Sequence, residues 1–75
     1  MNTYADIDRD SNVEAYQIEP EAIVVKFKSG QCRYYEYTYS SAGSSSVEHM
    51  KMLAKGGDGL NSFISLNHPS YYRKW

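Results

Sequence analysis

The stretch AIVVKFKSGQCRYYEYTY, residues 22–39, decides the fold because two runs of strand-forming residues flank a single turn. In the first run every second residue is apolar, which is the period of a half-buried strand: Ile23, Val25 and Phe27. Gly30 tolerates the positive φ of a tight turn, and the second run is rich in aromatic residues that favour strands. The sequence therefore predicts a β-hairpin over residues 22–39.

The length of the turn decides which tyrosines point into the core. A shift of one residue in the pairing moves every side chain to the opposite face of the sheet. A two-residue turn would pair Ile23 with Glu36 and would bury a carboxylate. A three-residue turn pairs Val25 with Tyr35 and Ile23 with Tyr37, and it leaves Glu36 in solvent. Of these two registers we prefer the second.

The segments that precede the hairpin extend this interpretation. Residues 13–18 are rich in β-branched and aromatic side chains, which predicts a first strand, and Pro20 then fixes the backbone of a turn. Residues 1–12 show neither a helical nor a strand period and therefore predict a flexible N-terminal leader. Residues 13–75 are predicted to form the single domain of the chain.

A helix is predicted after a polar loop at residues 40–44. Ser45 and Glu48 have the spacing of a capping box, in which each side chain satisfies a backbone N–H at the start of a helix. Apolar residues then recur at steps of three and four before the helix stop at Gly56-Gly57: Val47, Met50, Leu53 and Ala54. Similar spacing predicts a second, short helix through Leu60, Phe63 and Ile64.

These elements together predict an α+β fold. We expect a small three-stranded antiparallel meander packed by one amphipathic helix and a short C-terminal helix. The chain has 75 residues, which limits it to one domain, and its 41% hydrophobic content is high enough to offset the entropy lost on folding. The second face of the sheet is predicted to be partly open, and we expect this face to be the functional surface.

Several classes of function lack the residues that their chemistry needs. Cys32 is the single cysteine, so no intramolecular disulfide or thiolate pair can form, which favours a reducing cytoplasm. No apolar run approaches the length of a bilayer span, and the two histidines lack the spacing of metal ligands. No nucleophile elbow or paired-carboxylate motif is present. We therefore predict a cytoplasmic protein that is not an enzyme and has no metal, cofactor or membrane contact.

Charge is distributed unevenly along the chain although the net charge is only −1. Residues 1–25 hold six acids and one Arg, whereas residues 26–75 hold seven bases and three acids. Nucleic-acid affinity depends on Lys and Arg that neutralise phosphates, so the net charge alone argues against a generic nucleic-acid binder. The uneven distribution, by contrast, is compatible with a basic face beside an acidic one.

Short pieces of the chain, taken in order, resemble the KTSC domain family. They include the strand that ends at Phe27, a central Tyr-x-Tyr, and the glycine and apolar spacing of residues 57–64. The residues that match the family motif are Gly30, Tyr35, Tyr37, Gly57, Leu60, Asn61 and Ile64. Where the family continues from its tyrosine pair with a Val-Pro turn, this chain has a longer serine-rich segment at residues 38–46.

The resemblance also implies a function. The KTSC family is named after a C-terminal segment of lysyl-tRNA synthetase and also occurs as small stand-alone bacterial proteins. The resemblance therefore implies a bacterial or phage protein that binds RNA.

The hairpin and the C-terminal tail combine tyrosines with basic residues, a pattern that fits aromatic packing over a small core. The same pattern also predicts a surface for RNA or another nucleic acid. In this interpretation the Tyr34 ring stacks on an unpaired base, and the surrounding cations contact phosphates. The predicted binding residues are Lys26, Lys28, Arg33, Tyr34, Arg73 and Lys74. The alternative is a module for protein–protein contact or self-association through the same residues and Trp75, since Tyr, Trp and Arg dominate protein interfaces.

Overall fold

The computed structural model describes residues 1–7 and 11–75, which form an α+β fold. Within these residues the elements are β1 (Asn2–Thr3), β2 (Val13–Glu19), β3 (Ala22–Phe27), β4 (Tyr34–Thr38), α1 (Tyr39–Ala42), α2 (Ser44–Gly56), α3 (Leu60–Asn67) and β5 (Arg73–Lys74). Each strand pairs antiparallel with its neighbour in sequence, so the sheet is a meander of order β1-β2-β3-β4-β5. The predicted three strands form its centre, and a two-residue strand is added at each edge.

The register of the central hairpin agrees with the preferred prediction. Val25 pairs with Tyr35 and Ile23 pairs with Tyr37, while Glu36 lies opposite Val24. Pairing therefore places the carboxylate on the face away from the core, but not in open solvent: the Glu36 side chain is only 12% exposed there and pairs with Arg73. The turn is wider than the three residues predicted, because the strands end at Phe27 and resume at Tyr34.

The core lies between one face of the sheet and the helices. Ile23 and Val25 of β3 are fully buried there, and Tyr37 of β4 is 3% exposed. From the helices, the same cluster contains Val47, Met50, Ala54 and Leu60. The sheet and the helices each bury one apolar face in this core. The periods of apolar residues in β3 and α2 therefore predict which residues lie in the core.

The N-terminal segment differs from the predicted leader. β1 pairs with β2, and the Tyr4 side chain is only 4% exposed within the core. The Leu60 backbone N–H donates to the Tyr4 hydroxyl at 3.3 Å, and the Ile7 N–H donates to the Gly57 carbonyl at 2.9 Å. Residues 1–7 therefore belong to the folded unit, and the predicted domain start at Val13 would leave them out of it. Residues 8–10 of the predicted leader lie outside the described residues.

The predicted capping box at Ser45 is wrong. The chain is already helical at Tyr39–Ala42, where Thr38 is the N-cap and forms a capping box with Ser41. The polar loop predicted at residues 40–44 is therefore mostly this short helix. Gly43, with a φ of 91°, separates α1 from α2 and serves as the N-cap of α2 without a side-chain hydrogen bond.

Glu48 does not cap α2 but connects it to α1 through Tyr39. Its carboxylate accepts a hydrogen bond from the Tyr39 hydroxyl at 2.6 Å and pairs with Lys51 at 2.8 Å. The Lys51 and Tyr39 hydrogen bonds lower the pKa of Glu48 below its ordinary value. The Lys51 ammonium also donates to the Pro20 carbonyl at 3.1 Å, which joins α2 to the β2–β3 turn.

The C-terminal half matches the sequence more closely. Gly57 ends α2 in a left-handed conformation and donates its N–H to the carbonyls of the last turn, as the Gly-Gly pattern predicts. The short second helix is present as α3, and residues beyond it return to the sheet as β5. Among the described helices, none combines the length and apolar character needed to cross a bilayer.

Candidate aromatic and basic interface

The helices cover one face of the central sheet, and the residues that alternate with the core residues define the other face. This outer face is carried on β3 and β4 by Val24, Lys26, Tyr34 and Glu36. Val24 is only 6% exposed, although it points away from the helices. Long polar and aromatic side chains therefore cover much of the outer face themselves.

The centre of the outer face is a stacked aromatic pair. Tyr34 of β4 and Trp75, the residue after β5, exchange two backbone hydrogen bonds of 2.9 Å. This pairing sets their side chains next to each other. Their ring centroids are 5.5 Å apart and the ring planes differ by 3°. One side of the Tyr34 ring is therefore occupied by Trp75, and the indole, which is 48% exposed, is the more accessible ring.

A cation lies against each ring of this pair. The Lys26 ammonium is 5.6 Å from the centroid of Tyr34, and the Arg73 guanidinium carbon is 4.8 Å from the centroid of Trp75. Cation–π contacts of this kind stabilise exposed sites by about 0.5–1 kcal/mol. We call the set Lys26, Tyr34, Trp75 and Arg73 the aromatic row.

Carboxylates hold the cations of the aromatic row in place. Glu14 pairs with Lys26 at 2.8 Å and with Arg33 at 2.9 Å, and Glu36 pairs with Arg73 at 2.6 Å. The hydrogen bond from Lys26 lowers the pKa of Glu14, and the same bond raises the pKa of Lys26. The local charge is consequently much closer to neutral than the bases alone would make it.

Two of the predicted binding residues lie away from the aromatic row. Lys28 belongs to the hairpin turn and pairs with Asp6 at 3.1 Å. Lys74 lies opposite Tyr35 in the sheet, so its side chain is on the helix-bearing side, and its ammonium is 5.3 Å from the centroid of Tyr71. The structure therefore brings together four of the six predicted residues, namely Lys26, Arg33, Tyr34 and Arg73.

The residues of the family motif separate into two groups. One group, Gly30, Tyr35, Tyr37 and Ile64, lines a groove of about 540 Å³ beside the hairpin turn. The other group, Gly57, Leu60 and Asn61, lies around the α2–α3 connection, where Leu60 is fully buried. Tyr37 faces the core as the preferred register predicts, and its burial raises the pKa of its hydroxyl to about 12.

Sequence reasoning missed two features of the outer face. Glu14 was not recognised as the partner of Lys26 and Arg33, because the β2–β3 register shifts between Val13 and Ala15. The stacking of Trp75 on Tyr34 is the second feature, which the sequence pattern does not predict. The tail composition could have pointed to a fifth strand, but two residues are too few to show a strand period.

The outer face offers noncovalent contacts: ring surfaces, two guanidinium groups and one ammonium. Among the described residues, no group of three or more His, Cys, Asp and Glu side chains is arranged to hold a metal ion.

No match was found. This holds for the scan against protein-family models, for the search of curated proteins and for the search of solved structures. The resemblance to the KTSC family therefore stays a prediction made from the sequence.

Proposed function

We propose that this chain is a non-catalytic binding domain that binds single-stranded nucleic acid, RNA in the first place, on its outer face. The observation that carries the proposal is the aromatic row, in which two stacked rings are flanked by two cations. Single-strand readers built on sheets combine ring surfaces for bases with cations for the backbone. The resemblance to the KTSC family supports the same class of ligand.

The accessible ring for a base is Trp75 rather than Tyr34. Tyr34 has Trp75 on one side and the Lys26 ammonium over its ring, whereas Trp75 is half exposed. Arg73 lies over the indole, so an incoming base either displaces the guanidinium or stacks on it. Stacking of one base on an aromatic side chain contributes about 1–3 kcal/mol.

The carboxylates of the outer face set the electrostatic character of this binding. Glu14 and Glu36 already occupy the cations that would meet phosphates, so few counterions are released when a strand binds. For single strands log K falls with log salt by about 0.7 per phosphate neutralised. With roughly one or two phosphates neutralised, we expect a shallow salt dependence and binding dominated by stacking.

Fluorescence anisotropy titrations of single-stranded RNA, single-stranded DNA and tRNA at two salt concentrations test the proposal. Trp75→Ala should weaken RNA binding about tenfold or more, because it removes the accessible ring. Tyr72→Ala is the matched control, since Tyr72 is an equally C-terminal, 65% exposed ring outside the aromatic row. Equal affinities of the two variants, or no binding at low salt, would contradict the proposal.

A second variant tests the role of the carboxylates. Glu36→Gln removes the acid that pairs with Arg73 and should both tighten RNA binding and steepen its salt dependence. Glu21→Gln removes the same charge from the turn beside the sheet, outside the described ion pairs, and serves as the control for net charge. A matching increase in both variants would show that only total charge matters.

The second candidate function is a protein-interaction module, which includes contact between copies of the chain, and the neutralised cations favour it. Aromatic and Arg side chains with balanced charge are typical of interface centres. Sedimentation equilibrium across a wide concentration range distinguishes self-association. A mass that rises with concentration in the parent chain and stays monomeric in Trp75→Ala would favour this candidate over nucleic acid.

A further inference from the structure

The groove beside the hairpin turn lies on the opposite side of the sheet from the aromatic row. Its volume is about 540 Å³, within the range of roughly 300–1,000 Å³ that small-molecule sites have. Its walls include the rings of Phe27, Tyr35 and Tyr37 and the side chain of Ile64. Phe27 and Tyr35 pack edge to face with centroids 5.3 Å apart, so the groove offers a preformed aromatic wall.

The charge of the groove is one-sided. Lys74 lines it, and no Asp or Glu is among the described residues that do so. The described ion pairs do not include Lys74, in contrast to Lys26, Arg33 and Arg73. Its ammonium instead lies over the rings of Tyr35 and Tyr71, at 5.8 and 5.3 Å from their centroids.

Lys74 keeps its charge in this position. A hydrogen bond with Tyr71, together with the field of Tyr71 and Tyr35, raises the pKa of Lys74 above its ordinary value. Because the described ion pairs do not include Lys74, an anionic ligand can approach its ammonium without displacing a carboxylate of the described residues. The polar rim adds hydrogen-bonding groups from the side chains of Asn12, Ser29 and Gln31.

We propose that this groove binds a small anion that carries a flat aromatic ring, with the ring against Tyr35 and Phe27 and the anionic group on Lys74. A ring fits the aromatic wall, and a phosphate or carboxylate complements the positive charge of the Lys74 ammonium. Nucleotides and aromatic carboxylic acids share this chemistry. The inference does not depend on the proposed function, because none of these groove residues belongs to the aromatic row.

Titrations followed by amide chemical shifts of the isotopically labelled chain test the inference. The probes are adenosine 5′-monophosphate and indole-3-acetate, each compared with a neutral counterpart, adenosine and indole-3-ethanol. We expect at least one anion to give saturable shifts at residues 29–32, 35 and 74. The corresponding neutral compound should bind about tenfold more weakly, since hydrogen bonds to charged groups are the stronger ones. The anion that binds distinguishes a nucleotide site from a site for aromatic acids.

Lys74→Gln should weaken the anion about tenfold and leave the neutral compound nearly unchanged. Lys55→Gln is the matched control, because Lys55 is also exposed and outside the described ion pairs but lies at the end of α2. Trp75→Ala should leave anion binding intact, which separates the groove from the aromatic row. Equal loss in the two lysine variants, equal affinity for charged and neutral compounds, or no saturable shift in the groove would overturn the inference.

Discussion

At Gly57 the chain passes from α2 towards α3 with a φ of 71°, a conformation that L side chains rarely adopt. A Cβ atom added there would lie 2.5 Å from the Cβ of Ala5 in the N-terminal segment. The glycine is thus required twice, once for the backbone conformation and once for the close approach of residues 1–7. The Ile7 N–H donates to the Gly57 carbonyl, so that approach is also a hydrogen-bonded contact.

Substitution of the two consecutive glycines separates these requirements. Gly57→Ala should lower the free energy of unfolding by more than about 1 kcal/mol, because the new methyl group is strained and collides with Ala5. Gly56→Ala is the control and should raise it by up to about 1 kcal/mol, since Gly56 is helical and no atom lies within 4 Å of an added Cβ. Urea denaturation followed by circular dichroism measures both changes.

A second substitution tests the contact with the N-terminal segment directly. Ala5→Gly should recover part of the stability lost in Gly57→Ala, because it removes the methyl group that the new Cβ meets. Purely additive effects of the two substitutions would show that Ala5 does not approach Gly57 in solution.

Among the elements, α1 and α2 show how a cap decides where a helix begins. The Thr38 side chain accepts a hydrogen bond from the Ser41 N–H at 3.1 Å, and the Ser41 hydroxyl accepts one from the Thr38 N–H at 3.0 Å. Ser45, the residue predicted to cap α2, lies inside that helix.

Thr38→Ala should therefore lower the free energy of unfolding by about 1 kcal/mol, which is the usual effect of removing an N-cap side chain. Ser45→Ala should change it by less than about 0.5 kcal/mol, or stabilise slightly, because Ala favours helix interiors. Thermal unfolding of the two variants compares the caps, and a larger loss in Ser45→Ala would contradict the assignment.

The elements differ in how far the sequence predicts them, and the reason is physical. The register of β3 and β4 is predictable because the competing register would place the Glu36 carboxylate in the apolar core, whereas the observed one leaves it on the outer face beside Arg73. β1 and β5 have two residues each and carry no period, so only their pairing with β2 and β4 reveals them. The start of the first helix was missed because Thr38 and Ser41 close a capping box ahead of the more conspicuous serine run.

At the scale of the whole molecule, the candidate site depends on contacts between distant parts of the chain. Sequence composition identifies Lys26, Tyr34 and Arg73 as a basic and aromatic group, and the structure does place them on one face. Sequence composition does not reveal that Glu14 and Glu36 pair with these cations, because strand partners follow from register and not from local pattern. The position of Lys74 also follows from register: it pairs with Tyr35, so its side chain lies on the helix-bearing face of the sheet and not on the outer face.

The pH dependence of global stability should report the burial of Tyr37. Burial first, and then the neighbouring Tyr35 and Tyr71, raise the pKa of its hydroxyl from 10.0 to about 12. The unfolded chain releases this proton at lower pH than the folded chain, so the stabilisation is complete below pH 10 and declines as the pH rises towards 12.

Urea denaturation of the parent chain and Tyr37→Phe between pH 9 and pH 12 measures this effect. We expect the parent to lose stability over this interval by about 2 kcal/mol more than Tyr37→Phe, because the substituted chain lacks the titrating group. Parallel pH profiles would show that Tyr37 ionises as readily in the folded chain as in the unfolded one.

The most direct test of the outer face as the binding surface is an amide and indole chemical-shift titration with a short single-stranded RNA at low salt. We expect the largest shifts at Lys26, Tyr34 and the indole N–H of Trp75, with the exposed side of α2 unchanged as the internal reference. Absence of shifts, or shifts confined to residues outside the outer face, would contradict the proposed function.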